Sequence, residues 1–127
     1  MIAVDTSALM AIALGEAAAE ACINILEREP EVLISAGTVA EVLIVAGRRN
    51  LADAMAKLID RLGMDIVTVT PAAARRVAGA YERWGKGVHP AGLNFGDCFA
   101  YDVAKEHSCP LLFIGQDFSK TDLTSAL

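Results

Sequence analysis

Short apolar runs alternate along this chain with longer stretches in which apolar residues recur every three or four positions. The runs IAV (2–4), VLIS (32–35), IVTV (66–69) and LLFI (111–114) are each bounded by polar or turn residues, and they predict four buried strands. Between them the period lengthens. A short helix is expected after Ser7, ending near Gly15, and a second over 16–29, stopped by Pro30. Residues 38–46 predict a third helix with Gly47 as its C-cap. Leu51, Met55, Leu58, Ile59 and Leu62 form one stripe of a fourth helix, ended by Gly63. Pro71 opens a fifth, striped by Ala73, Val77, Ala80, Tyr81 and Trp84. The stretch GKGVHPAGLNFG (85–96) reads as a loop, and a last helix carrying Cys98 and Phe99 leads into LLFI.

Strands that alternate with helices predict an α/β fold, a parallel sheet with helices on both faces. The 127 residues make one domain, 1–127, with enough chain for a single core.

That topology gives the acidic residues a common address. Ligands of an open parallel sheet bind outside the carboxyl ends of its strands. Asp5 directly follows the first strand, Glu41 lies about a turn into the helix after the second, and Asp117 follows the fourth. Asp97 begins the helix that feeds the fourth strand, so it starts on the same edge. Four carboxylates gathered there raise one another's pKa values unless a cation offsets them. Hard oxygen ligands suit Mg²⁺ or Mn²⁺, and the chemistry that follows is metal-assisted attack of water on a phosphodiester.

Each acid also has a local explanation. Asp5 can cap the helix that follows it. Thr38 and Glu41, in TVAE, fit a capping box, and so do Asn94 and Asp97 in NFGD. Asp117 fits an Asx-turn. Independent caps, however, have no reason to converge on one edge.

Composition adjusts this picture. Hydrophobic residues make up 54% and mean hydropathy is +0.43, which favours buried strands or an apolar oligomer face. The helices at 16–29 and 38–46 are candidates for a dimer face or a groove for a partner helix. No apolar run approaches the ~18 residues of a membrane span, and MIAVDTSALMAIALG lacks a basic leader, so a cytoplasmic location is expected. Cys22, Cys98 and Cys109 are expected as reduced thiols; Cys98, His107 and Cys109 fit no common zinc spacing. The net charge of −5 argues against a nucleic-acid binder. Against that, part of the negative charge belongs to the acidic edge, and Arg48, Arg49, Arg75, Arg76, Arg83 and Lys86 offer local basic patches. Asp102 lies about 140° around the helix from Asp97, which predicts a surface residue near Lys105 or Glu106. His89 is expected as a solvated loop residue. No GxxxxGK[ST] pattern supports nucleotide binding.

The blocks MIAVDTSALMAIALGE, SAGTVAEVLIVAGRR and LNFGDCFAYDVAKEHSCPLLFIGQDFSKTDL resemble a PIN domain of the VapC toxin kind over nearly the whole chain. The resemblance implies a PIN-like three-layer sandwich around a parallel sheet of four to five strands. It also implies a Mg²⁺- or Mn²⁺-dependent endoribonuclease cutting tRNA, rRNA or mRNA, inhibited by a VapB-type antitoxin; the homodimer is expected from the apolar excess noted above. Asp5, Glu41, Asp97 and Asp117 match the family's acids, with Thr6, Ser7 and Gly115 as candidates for secondary contacts. The alternative is a catalytically silent interaction module of the same fold. An aspartate-based phosphatase would want an acid two residues after Asp5, where Ser7 stands.

Overall fold

The computed structural model describes residues 1–127. Its elements run β1 (Ile2–Val4), α1 (Thr6–Ala13), α2 (Ala19–Arg28), β2 (Val32–Ser35), α3 (Ala36–Arg48), α4 (Ala52–Leu62), β3 (Asp65–Val67), α5 (Pro71–Trp84), α6 (Phe95–Glu106) and β4 (Leu111–Leu112), followed by a 3₁₀ turn at Phe118–Lys120. The four strands are parallel in the order β3-β2-β1-β4.

Alternation along each strand builds two cores, because successive side chains leave opposite faces. Ala3, Leu33 and Leu111 face α5 and α6, where Val77, Ala80, Trp84, Ala100, Tyr101 and Ala104 cover them. Ile2, Val4, Val32, Ile34 and Leu112 face the other way, under Leu9, Leu26, Val42 and Met55 of α1 to α4. The result is three layers, helices–sheet–helices. The chain steps outward from β1 through β2 to β3 along one face, then returns through α5 and α6 on the other face to place β4 beside β1. The crossover side therefore switches between β1 and β4, where an open parallel sheet leaves a crevice at its carboxyl edge. A partial fifth strand completes the flank: Leu111 N donates to Thr124 O and Ala126 N to Leu111 O, a single parallel bridge.

Several boundaries differ from the pattern-based ones. β3 covers 65–67 rather than 66–69, and β4 only 111–112. Helix α3 starts at Ala36, because the Ser35 side chain accepts from Gly37 N and caps it. Gly47 lies inside α3, and the C-cap is Arg49. The TVAE capping box is absent: Thr38 is a buried helix-interior residue whose Oγ1 has no partner. Tyr81, placed on the apolar stripe of α5, is 39% exposed. Asp102 is a correction: it is buried, and it accepts from Arg76 Nε at 2.6 Å and Arg76 Nη2 at 3.3 Å. The helix rotation does carry it away from Asp97, but the surface it reaches is covered by α5. His89 is only partly exposed; its Nδ1 accepts from Ala91 N, and its ring stands edge-on to Trp84 at 4.7 Å. It holds the loop against the core.

Candidate acidic site

The carboxyl edge of the sheet, where β1 and β4 adjoin, carries the four predicted acids. Asp5 leaves β1, Glu41 is on the second turn of α3, Asp97 is in the first turn of α6 and Asp117 follows β4. Helices α3 and α6 meet through a reciprocal pair of glycines. A Cβ at Gly37 would overlap the Phe99 ring, and a Cβ at Gly96 would overlap the Glu41 carboxylate. Small residues let the two backbones close up, and this brings Glu41 onto the start of the helix that carries Asp97.

The local explanations hold for Asp5 and Asp97, where a cap occupies one oxygen of each carboxylate, whereas Glu41 is held by Thr6 and the Asp117 side chain makes no cap. Asp5 Oδ2 accepts from Ser7 N at 3.0 Å, which caps α1, and from Ser7 Oγ at 2.7 Å. Its Oδ1 is buried with no partner. Asp97 Oδ2 accepts from Asn94 N while Asn94 Oδ1 accepts from Asp97 N, a full capping box. Glu41 Oε1 accepts from Thr6 Oγ1 at 2.6 Å, and Oε2 is the atom lying against Gly96. Capping and ligand binding thus make no competing demand on these carboxylates. A buried carboxylate oxygen without a donor is costly unless something fills the role, so the orphaned Asp5 Oδ1 fits a cation-binding edge.

Electrostatics agree with proximity. Burial pushes Asp97 up to about 7; the Asn94 backbone N–H pulls it back, and the charges of Asp5, Glu41 and Asp117 push it further up. Burial also raises Asp5, opposed by the Ser7 hydrogen bonds and reinforced by Glu41. Side chains as placed form no group of three or more His, Cys, Asp or Glu ready to enclose an ion. Asp117 is exposed, and Asp97 and Glu41 are each turned toward their local donors. Mutual repulsion of unneutralised carboxylates favours such an open arrangement.

Of the secondary residues, Thr6 and Ser7 are engaged as described. Ser7 Oγ also accepts from Ile114 N at 3.0 Å, and Gly115 takes φ 106° in the turn toward Asp117. The basic cluster is partly spent on internal pairing: Arg76 with Asp102 and Glu106, Arg83 with Asp122 and over the Trp84 ring. Arg75 and Lys86 remain exposed.

Two neighbours were not singled out in the sequence. Gly96 was visible as the glycine before Asp97, but its contact to α3 was not. Phe95 is 70% exposed at the first position of α6, with its ring edge-on to Phe99 at 5.0 Å. It lines, with Gly37, Ala40, Glu41, Ile44 and Phe99, a mostly apolar groove of roughly 300 Å³.

Acids from four separate segments thus lie on the sheet edge where the crossover side switches. The PIN domain pattern matches residues 2–123, and the chain belongs to the PIN domain family. Within that family it is a VapC-type member. VapC ribonuclease Mb2780c of Mycobacterium bovis is 40% identical over 128 residues, 97% of each chain. Ribonuclease VapC30 of Mycobacterium tuberculosis is 38% identical over 96% of this chain and 95% of its own. Among solved structures, Mycobacterium tuberculosis VapC20, described as a sarcin-ricin loop cleaving toxin, superposes with a TM-score of 0.80 at 20% identity, covering 98% of this chain and 97% of its own. A toxin–antitoxin complex from Klebsiella pneumoniae gives 0.74 at 17% identity, covering 100% of this chain and 98% of that one.

Proposed function

We propose that this protein is a Mg²⁺- or Mn²⁺-dependent endoribonuclease toxin restrained by a small VapB-type antitoxin. The observation that carries the reading is the division of labour at Asp5, Glu41 and Asp97: each has one oxygen tied by the fold and one left over at the same sheet edge.

When bound, a divalent cation lowers the pKa of water and offsets negative charge on a phosphate. Asp5 and Asp97 are the principal ligands in this reading, with Glu41 and Asp117 completing the acidic rim. Asp5 is fixed by its burial, its backbone N–H to Leu112 O and the Ser7 contacts. Asp97 is fixed by its capping box. Asp117 is exposed on the turn after Gly115. The Phe95 face offers stacking to an unpaired base, a contact every base can make. Exposed Arg75 and Lys86 supply local positive charge for a backbone despite the acidic total.

No helix is long and apolar enough to cross a membrane. The proposed reading places action on RNA in the cytoplasm. The exposed Leu43 and Ile44 of α3 give the antitoxin or a second copy an apolar face.

The test is RNA cleavage with Mg²⁺ or Mn²⁺, with EDTA, and for folded Asp97→Asn and Asp5→Ala. The reading expects cleavage only with the cation and both acids, leaving 5′-phosphate and 3′-hydroxyl ends. Full activity in EDTA or in folded Asp97→Asn overturns it.

A further inference from the structure

Ser7 makes three contacts, two of which no simple helix cap requires. Its N–H and its hydroxyl both donate to the same oxygen, Asp5 Oδ2, at 3.0 and 2.7 Å. The hydroxyl also accepts the N–H of Ile114 at 3.0 Å, a bond spanning 107 residues of sequence. Ile114 stands just past β4, and the chain turns from it through Gly115, at φ 106°, to Asp117. A single hydroxyl therefore joins the segment that carries Asp5 to the segment that carries Asp117. The backbone N–H alone suffices to cap α1, so the hydroxyl is free to serve another purpose.

We propose that Ser7 is the positioning residue of the acidic site: its hydroxyl reserves Asp5 Oδ2, leaves buried Oδ1 as the single atom that Asp5 offers to a divalent cation, and sets the span from Asp5 to the Asp117 turn. The inference rests on the cation-dependent reading above and adds to it a ligand atom and a coupling between two loops. A carboxylate with one oxygen saturated by two donors binds an ion through the other, and the partners behind such a ligand fix its orientation. Thr6 treats Glu41 in the same way, by donating to Oε1. Consecutive hydroxyls at the start of α1 thus orient two acids from two different elements. The Ser7 hydroxyl differs from that of Thr6 in also accepting a backbone N–H, which fixes its hydrogen toward Asp5.

The test uses the full chain and Mn²⁺ alone. Mn²⁺ affinity is read by electron paramagnetic resonance, and the Ile114 amide by hydrogen exchange, in wild type, Ser7→Ala, Ser7→Thr and Asp5→Asn. Expected for Ser7→Ala is a loss of Mn²⁺ affinity on the order of 10- to 100-fold, with faster exchange at Ile114. Ser7→Thr, which keeps the hydroxyl, is expected to restore both. Wild-type Mn²⁺ affinity in folded Ser7→Ala, with Ile114 exchanging faster, overturns the proposal and leaves Ser7 a packing residue. Absence of Mn²⁺ binding in wild type, or undiminished binding in Asp5→Asn, overturns the cation reading itself, and Ser7's role with it. Circular dichroism checks the fold. If Ser7→Ala is unfolded, Ser7→Cys, a weaker donor of similar size, takes its place with the same expected direction.

Discussion

Glu41 Oε2 occupies the space that a side chain at Gly96 would fill. Gly96 is buried within α6 and has no unusual backbone angle, so conformation does not demand glycine there. Contact with Glu41 does. In Gly96→Ala the better helix propensity of alanine, up to ~1 kcal/mol, acts against the displacement of a flexible carboxylate end. The melting temperature is expected to stay near that of wild type while RNA cleavage falls more than tenfold. Cleavage at the wild-type rate in this variant would show that the position of Glu41 is immaterial.

The raised Asp97 makes stability depend on pH with an unusual sign. Its folded value of about 7 lies above the ordinary carboxylate value, so the folded chain holds a proton that the unfolded chain has released. Stability from this group is full at low pH and is lost as pH rises toward and through 7. Asp5, raised by burial, acts in the same direction. The cation-free protein is therefore expected to melt at a lower temperature at pH 8 than at pH 5.5, monitored by Trp84 fluorescence. Mn²⁺ should compete with the proton, so its affinity climbs with pH below 7. A melting temperature that rises between those pH values without cation would contradict the placement of Asp97.

Phe95 is mostly exposed and contributes little to either core. Stacking of a base on an aromatic ring is worth ~1–3 kcal/mol. Phe95→Ala is expected to leave the melting temperature unchanged and to raise KM for single-stranded RNA on the order of tenfold, with Phe95→Trp restoring it. Equal KM values for Ala and Trp variants would remove the ring from substrate binding.

Asp102 and Arg76 tie α6 to α5, on a side of α6 turned away from Asp97. Asp102→Ala is expected to lower the melting temperature by several degrees, since it removes a charge-assisted pair from a nearly enclosed position. Cleavage per folded molecule should be unchanged. A selective loss of activity with an unaltered melting curve would place Asp102 in the catalytic machinery instead.

The sheet and its helices were legible because short continuous apolar runs mark buried strands, stripes at three- to four-residue spacing mark helices, and this chain keeps the two apart. The common edge of the acids followed from parallel topology alone. Boundaries failed where a polar cap decided them: Ser35 outcompeted Thr38 because the chain turns at the end of β2 before the TVAE motif begins. Asp102 was misplaced because a helix angle tells which way a side chain points, not what covers it. The split use of carboxylate oxygens was beyond reach of spacing, since capping and cation binding call for the same residue at the same position. Gly96 was silent for a related reason: its partner lies 55 residues away on another helix, and only the crossing of α3 and α6 reveals it.

The caps at Asp5 and Asp97 are made by groups of the chain itself, Ser7 N–H in one case and Asn94 in the other. The same two carboxylates therefore start α1 and α6 as well as standing at the sheet edge. A substitution that removes either charge loosens a helix start at the same time, so any loss of function in such a variant has to be read beside its melting curve.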